Sequence, residues 1–370
     1  MPTLASKLGI QLVMQLGKTV PIPAPRAAMV ALQHVEVANN MDGEDGFQLV
    51  FALSKSKTGE FDVLKSGFVE PDTRAAIGVL VGATLHPLIN GVIYHQQITP
   101  IQDAETSTLT VMGRSIQVLM DLEEKDQSYP GLSDSAIVQN ILVRYLSEGV
   151  TCLGGISTSK DTPSDKDRIP SQRHTDLVYL RDLAKQNGFI FYLEPKAVGA
   201  TQAYWGPADQ TQNSLPALCT NFGSATNVSE LQFSQDPLAV LRVNADAFDP
   251  KTKKSETIPP NPGYTGFTVV KPIAARRTIR LRGAARFGPA RALDAAAART
   301  ANAPDPVTAR GTLDTLRYGD VLCPRRIVSV CGAGSCYDGD YLVRKVTHEI
   351  EVGKYTQSFT LSRKGLGAST

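Results

Sequence analysis

The sequence predicts an α+β fold that is mainly β, in which two β regions flank a small α/β unit. Apolar and polar residues alternate over residues 341–348 and 355–362, as they do in strands with one buried face. Two segments in the middle of the chain instead repeat apolar residues at the period of a helix. Strand-like segments return after residue 226, so the helical unit lies between two β regions.

Length and charge limit the class of protein. At 370 residues the chain exceeds one ordinary hydrophobic core, so two or three domains are expected. The net charge of +2 gives no electrostatic argument for binding nucleic acid or an anionic membrane. No run approaches the roughly 20 apolar residues that span a bilayer. The apolar segment 8–16 contains Gln11 and Gln15, so we assign it to the fold rather than to a secretory signal.

The five cysteines are unevenly spread, which does not suggest a disulfide framework, so we expect reduced thiols in a protein assembled in the cytosol. A zinc site could be drawn from Cys323, Cys331, Cys336 and His348. These residues lack the C-x2-C spacing of zinc ligands and lie in strand-like sequence. We therefore expect no metal site and no cofactor.

Residues 1–115 are predicted to form the first β domain. Its strand-like segments are residues 35–37, 47–53, 76–81, 91–97 and 107–113. The polar run at 39–46 is rich in Asn, Asp and Gly, which favour a turn between the first two strands.

Residues 116–215 are predicted to form an α/β domain with two helices. Ser133 or Asp134 can cap the first helix, and Gly149 can end it in a left-handed conformation.

The second helix of this domain begins at Thr175 or Asp176 and ends at Asn187 and Gly188. The apolar segment 189–193 follows as a short buried strand. A helix, a glycine and a buried strand in succession indicate one compact α/β unit.

Residues 216–370 are predicted to form the second β domain, with an insertion at about 250–310. Residues 228–233 and 239–244 are strand-like, and the alanine-rich segment 289–301 favours a helix within the insertion. The last strands of the chain look like the closing strands of a β-barrel.

Four blocks of the sequence carry a family likeness. They are GFQLVFAL at 46–53, INGVIYHQQITPIQDAETSTLTVMGRSIQVLMDLEEKD at 89–126, HTDLVYLRDLAKQNGFIFYLEP at 174–195 and YDGDYLVRKVTHEIEVGKYTQSFTLSR at 337–363. In this order they resemble the phage late control D family. That family comprises the baseplate hub proteins of contractile phage tails and related injection systems, and the hub half of VgrG-type spike proteins.

The resemblance implies two β-barrel domains flanking the α/β domain, with a helix-containing insertion in the second barrel. It also implies a homotrimer, whose barrels form a pseudo-six-fold ring between a hexameric tail tube and a three-fold spike. The chain ends soon after the hub region, so the spike is expected to be a separate polypeptide. The protein would then be a structural hub, bound to tube, spike and other baseplate proteins of a virion or injection particle assembled in the bacterial cytoplasm. DNA or cargo would meet it only in transit through the lumen.

Arginines are concentrated at residues 276–299, where Asp294 is the sole acidic residue. The candidate partner or lumen contacts are Arg276, Arg277, Arg280, Arg282 and Arg286. In a strand, Arg280 and Arg282 would lie on the same face. The cluster could dock on an acidic ring of the tube or line the lumen. It could equally be a hydrated face with local ion pairs, and the sequence leaves both readings open.

The chain has no G-x-S-x-G, P-loop or H-E-x-x-H motif, so we expect a protein that is not an enzyme. His174 is expected to cap a helix or face solvent, and His348 to lie at a surface or an interface.

The first alternative function is a tail-tip peptidoglycan hydrolase, which would need a carboxylate of raised pKa. Glu123 and Glu124 are its candidates, although the acidic run 121–126 is more typical of a solvated loop.

The second alternative function is a receptor- or glycan-binding tail protein. Such a protein needs an aromatic platform at its surface. Trp205, with its neighbour Tyr204, is the candidate for that platform.

Overall fold

The computed structural model describes residues 9–53, 61–65, 67–100, 107–159, 169–207, 214–249, 254–258, 271–281, 296, 299–300 and 303–367. Its α-helices are Arg26–Ala31 (α1), Asp62–Lys65 (α2), Asp134–Val143 (α3), Asp176–Asn187 (α4) and Thr315–Tyr318 (α5). Short 3-10 helices are Ile116–Met120, Leu146–Glu148 and Gly223–Ala225. The described chain is otherwise dominated by strands, which confirms the mainly β class.

The strands of the first β region are Ile10–Gly17 (β1), Ile22–Pro23 (β2), Leu32–Asn40 (β3), Gly46–Ala52 (β4), Arg74–Val81 (β5), Thr84–Thr99 (β6) and Thr108–Ser115 (β7). Those of the middle unit are Gln127–Ser128 (β8), Val150–Thr151 (β9), Ser171–Gln172 (β10), Ile190–Ala197 (β11) and Ala200–Gly206 (β12). The remaining strands are Ser214–Cys219 (β13), Val228–Gln235 (β14), Leu241–Asp249 (β15), Lys254–Ile258 (β16), Lys271–Pro272 (β17), Arg277–Arg280 (β18), Val307–Asp314 (β19), Ile327–Cys331 (β20), Gly339–Glu351 (β21), Lys354–Arg363 (β22) and Gly365–Leu366 (β23).

One central sheet runs through both β regions. Its order is β14-β19-β22-β21-β3-β4-β7-β6-β5-β1-β2, with β20 also paired to β21 and β13 paired to β20. At its middle, β3 pairs antiparallel with β21, from Asn40 opposite Lys345 to His34 opposite Glu351. We call this strand pair the seam. Because its strands come from opposite ends of the chain, the two β regions are joined by main-chain hydrogen bonds.

Apolar side chains form three buried clusters, one in each β region and one in the α/β unit. The first cluster crosses the seam, because Ile350 and Tyr355 of the last region are buried in it together with Val35 and Leu49. The predicted limits of the three domains stay predictions, since the regions share both a sheet and part of a core.

The α/β unit has the two predicted helices, with the predicted caps at Ser133, Thr175 and Gly188. The prediction that Gly149 ends the first helix is wrong, because α3 ends at Val143 and Gly149 instead ends the 3-10 helix Leu146–Glu148. The Ser133 hydroxyl accepts the Ala136 N–H at 3.3 Å at the start of α3. The Thr175 hydroxyl accepts the Val178 N–H at 3.4 Å at the start of α4. Gly188 then ends α4 with a φ of 75°, a left-handed conformation that favours glycine.

The Asn90 side chain attaches the α/β unit to the first β region. Its Nδ2 atom lies 3.1 Å from the Ala197 oxygen, 3.0 Å from the Ala200 oxygen and 2.9 Å from Thr201 Oγ1. Its Oδ1 atom accepts the Gly199 N–H at 2.9 Å. One buried amide on β6 therefore fixes the hairpin between β11 and β12.

Cys219 and Cys331 form a disulfide, so the expectation of reduced thiols is wrong for this pair. The two residues lie opposite each other in the parallel strands β13 and β20. The disulfide could not be predicted from their sequence separation of 112, because the two cysteines meet only through the pairing of β13 with β20. Cys152, Cys323 and Cys336 are free thiols. Cys331 is therefore not a free thiol and is not available as one of the four zinc ligands considered from the sequence.

We call the segment between β14 and β19 the insertion; it overlaps the predicted insertion at about 250–310, whose limits stay a prediction. Within its described part, β15 pairs antiparallel with β16 and parallel with β18. β17 pairs with β23, and the Ile273 N–H donates to the Lys364 oxygen at 3.4 Å, so this strand lies near the end of β22. The helix predicted at 289–301 lies almost entirely outside the described residues.

Candidate functional site: the open face of the central sheet

The eight strands from β14 to β6 have one apolar and one polar face. The apolar face is completely buried at Val35, Leu49, Val111, Val346 and Leu361. The opposite face, which we call the open face, carries mostly small polar side chains. One row of cross-strand neighbours on it is Thr312, Ser358, Thr347, Ala38 and Gly46, and the next is Gln232, Arg310, Thr360, Lys345 and Asn40. Such a face has no apolar stripe for a second core layer and is suited to contact with water.

The seam brings two acidic side chains together at the centre of the open face. Glu36 and Glu349 are direct cross-strand partners, and both are half-buried. Two positions along the same strand, Glu351 lies opposite His34, and the carboxylate is 3.4 Å from the imidazole Nδ1. The centre of the open face is therefore acidic.

Two shallow grooves lie on the open face, one on each side of the seam. The first, of about 310 Å³, is lined by Glu36, Gln48, Tyr94, Met112 and Arg114 among others. The second, of about 460 Å³, is lined by Glu230, Arg310, Lys345, Ser358 and Thr360 among others. Each groove is broad and polar, which is a poor match to the enclosed, mostly apolar pockets that bind small molecules.

Charged side chains brace one end of the seam. Arg344 donates to Asp305 at 2.8 Å and to Asp42 at 3.1 Å. Burial by itself would lower the pKa of Arg344, but the carboxylates of Asp305 and Asp42 outweigh this effect and raise it. Arg325 donates to the Asn40 oxygen at 2.7 Å. Residues from both β regions thus hold the seam in one register.

The acidic run predicted to be solvated is solvated. Glu123 and Glu124 are exposed, and among the described residues neither has an ion pair. The buried acid nearby is Asp176, which accepts from Lys125 at 2.6 Å and from Gln172 at 2.7 Å. Burial favours its neutral form, but these hydrogen bonds prevail and the pKa of Asp176 is lowered. A general acid for glycoside cleavage requires the opposite shift.

A cavity of about 60 Å³ lies where the three units meet, lined in part by Asp45, Glu194 and His348. Burial raises the pKa of Asp45. Ligand pockets generally measure about 300–1,000 Å³, so this cavity is too small for a sugar ring.

His348 is buried, with 1% of its surface exposed, so the expected surface or interface position is wrong. Its Nδ1 atom lies 2.9 Å from the Tyr355 hydroxyl. Burial lowers the pKa of His348 to about 3, with a smaller effect from His86. His174 is exposed immediately before α4, as predicted.

Trp205 is completely buried, so a surface aromatic platform at this residue is wrong. Its ring packs edge-on against Phe189, with the centroids 4.7 Å apart. Tyr204 stacks on Tyr192 with a centroid separation of 4.9 Å. These rings belong to the core and hairpin of the α/β unit rather than to a glycan-binding surface.

The predicted arginine cluster lies on the insertion rather than on the open face. Its exposed members in the described part are Arg276, Arg277 and Arg280, whereas Arg282 and Arg286 lie outside the described residues. Parallel pairing of β15 with β18 places the exposed Arg242 opposite Thr278. Sequence reasoning missed Arg242 because it is distant in the chain and joins the cluster through strand pairing.

Within the described ranges, His, Cys, Asp and Glu side chains form no group of three that could hold a metal ion. In the same part of the chain, no helix has the length and apolar character needed to cross a membrane.

No family model matches the sequence, and no curated protein matches it. Solved structures nevertheless share its fold. A tail protein from Neisseria meningitidis is similar with a TM-score of 0.61 and 14% identity, over 97% of this chain and 99% of that one. The 43 kDa tail protein of prophage MuSo2 from Shewanella oneidensis gives 0.61 and 14%, over 96% and 98%. An Escherichia coli component of the type VI secretion system gives 0.53 and 12%, over 90% and 73%. The chain therefore has the fold of phage tail and type VI secretion proteins.

Proposed function

We propose that the protein is the structural baseplate hub of a contractile tail or injection system, of the late control D type. In this proposal three copies form a ring that adapts a hexameric tail tube to a three-fold spike. The observation that carries the proposal is the central sheet, which unites two β regions at the seam. The two β regions would be the two barrel domains that each copy contributes to a pseudo-six-fold ring.

The open face is suited to the wall of a conduit. Its Ser, Thr and Gln side chains are short and hydrated, so they offer no apolar surface to which a passing polymer would adhere. The acidic centre at Glu36 and Glu349 would repel DNA phosphates rather than bind them. We therefore assign the open face to the lumen, with DNA or cargo meeting it only in transit.

The two ends of the eight-strand stretch support a closed ring of copies. Among the described residues, β14 pairs only with β19, and residues 94–99 of β6 pair only with β7. Neighbouring strands alternate in direction throughout, so β14 and β6 run antiparallel to each other. A second copy in the same orientation could add its β14 to β6 and continue the antiparallel sheet. Ring closure would remove the exposed edges, which otherwise invite aggregation.

The proposed partners follow from this arrangement. They are a tail tube protein on one side of the ring, a separate spike protein on the other, and further baseplate proteins around it. The location would be the baseplate of a virion or injection particle, assembled in the bacterial cytoplasm. The role is mechanical, with no chemical reaction assigned to the chain.

The test is the mass of the purified chain by light scattering behind a sizing column, with negative-stain images of the same fraction. We expect three times 39.8 kDa and a ring with a central hole. Ile98→Lys, on the open edge of β6, should dissociate the ring because charge on an edge strand blocks pairing. Val352→Lys is the matched control, since Val352 is exposed in the turn between β21 and β22. A chain that stays monomeric up to its solubility limit would overturn the proposal.

A further inference from the structure

We propose that an arginine face on the insertion of one copy binds an acidic corner on the next copy of this chain. The inference rests on the proposed ring and names a contact that holds it together. The arginine face comprises Arg242, Arg276 and Arg280. The acidic corner comprises Glu70 and Asp72.

Strand register separates the arginine face from the rest of the small sheet. In the parallel pair of β15 and β18, Arg242 lies opposite Thr278, which places it on the same side as Arg280. The other side of the pair carries Leu241, Val243 and Ile279, with Val243 buried opposite Ile279, and also Arg277 at the start of β18. Arg276 is exposed immediately before β18. Three guanidinium groups from two segments thus share one surface.

Arg242 and Arg276 make no ion pair or hydrogen bond with any part of the chain that the structure describes. Arg277 is also exposed and has no such partner, but it lies opposite Leu241 on the other side of the pair. Guanidinium groups that remain unpaired within the copy are available to carboxylates outside it.

The insertion starts at the end of β14, beside an open edge of the central sheet. β14 ends at Gln235, and the next residue, Asp236, donates its N–H to the Pro306 oxygen at 2.7 Å. β15 begins at Leu241, so only a few residues separate the edge strand from Arg242. The arginine face therefore belongs to the end of the molecule that a neighbouring copy would approach.

The acidic corner lies at the opposite edge, where β5 diverges from β6. The Asp72 N–H donates to the Ile93 oxygen at 2.8 Å. This bond lies directly before the part of β6, residues 94–99, that pairs with β7 but with no second strand among the described residues. Asp72 and Glu70 are both exposed. Glu70 is paired with Lys18 at 2.8 Å, whereas Asp72 has no ion pair among the described residues. Asp72 also interacts electrostatically with Lys18, because both carboxylates raise the pKa of that ammonium group, so the corner holds two carboxylates against one lysine.

Strand direction brings the two surfaces together. Since β14 and β6 run antiparallel, the C-terminal end of β14 would lie toward the start of the open part of β6 in an extended sheet. The first of these ends carries the arginine face, and the second carries the acidic corner. Opposite charges at the same end of a pairing edge favour one orientation and one register over others.

The experiment measures the trimer–monomer equilibrium of the full chain by sedimentation at several salt concentrations. The test variant is Arg242→Glu/Arg276→Glu, and the matched control is Arg277→Glu, on the other side of the same strands. We expect at least about a tenfold weaker association for the test variant, because like charges would face each other. The control should change association less than about twofold. High salt should narrow the difference between them.

A second substitution identifies the acidic partner. Asp72→Asn removes the charge while keeping a residue type that tolerates the φ of 65° at this position. It should weaken association in the wild-type chain but strengthen it in the Arg242→Glu/Arg276→Glu chain, where it removes a repulsion. A ring that forms equally well in the test and control variants would overturn the contact and leave the proposed function standing. A wild-type chain that forms no ring would overturn both.

Discussion

Glu36 on β3 and Glu349 on β21 lie directly opposite each other at the seam, although 298 residues (41–338) lie between their strands. Like charges in a direct cross-strand pair destabilise a sheet. The seam thus carries an unfavourable pair where the two β regions meet. In the proposed ring, where the open face would line the lumen, this pair would repel DNA phosphates.

Replacing one member of this pair should stabilise the protein. We expect Glu349→Gln to raise the free energy of unfolding by about 0.5 kcal/mol, measured by denaturant titration, because it removes the repulsion from Glu36. The control is Glu351→Gln on the same strand, which loses the contact with His34 and should not stabilise. A loss of stability in Glu349→Gln would show that the two carboxylates share a favourable interaction.

Buried His348 should make the protein less stable in acid. Burial holds the pKa of His348 at about 3, below the ordinary value of 6.5, so the unfolded chain binds the proton more readily. The stability contributed by neutral His348 is therefore complete above about pH 6.5 and is lost progressively as the pH falls from there toward 3. At pH 5 the loss from this group should be about 2 kcal/mol.

The measurement compares the pH dependence of unfolding in the wild type and in His348→Gln. The variant should have a flatter profile between pH 7 and 5, whatever its absolute stability, because the titrating group is gone. His174→Gln, at an exposed site, is the control and should keep the wild-type slope. Identical slopes in all three proteins would mean that other groups cause the acid sensitivity.

The helix caps could be predicted from the sequence, whereas the pairing between distant strands could not. The caps at Ser133, Thr175 and Gly188 were predicted because each signal lies within a few residues of the helix end that it satisfies. The seam and the Cys219–Cys331 disulfide depend on which strands become neighbours, and that information is spread over the whole chain.

The prediction for His348 was wrong for a different reason, which lies in the strand itself. The alternation over residues 341–348 was treated as unbroken, but the pairing of β21 with β22 shifts register between Val343 and Lys345. Such an irregularity reverses which residues face the core beyond it. The buried residues beyond the shift are therefore Val346, His348 and Ile350. Because histidine is a polar residue type, the sequence did not indicate that His348 lies in the core.

Gly113 should resist substitution even by alanine. A Cβ atom there would lie 2.0 Å from Cζ of Phe47, its cross-strand partner on the core side. Overpacking of this kind costs about 1–3 kcal/mol, so Gly113→Ala should lower the unfolding midpoint in urea. Phe47→Leu makes room for the methyl group, so the double variant should lose less stability than the two single changes added together. If the stability losses of the two single variants add up exactly in the double variant, the Phe47 side chain does not clash with the new methyl group.

Asn90 should hold the α/β unit on the central sheet. Replacing it with alanine leaves the Gly199 N–H and the Ala197 and Ala200 oxygens without their amide partner in a largely buried site. We expect a loss of about 1–3 kcal/mol, together with faster proteolysis of the β11–β12 hairpin, because a buried polar group without a partner is costly. Gln202→Ala is the control, since its amide bonds the Leu153 oxygen at an exposed position and its loss should cost far less. Equal effects of the two substitutions would place the attachment of the α/β unit in its apolar contacts rather than in this amide.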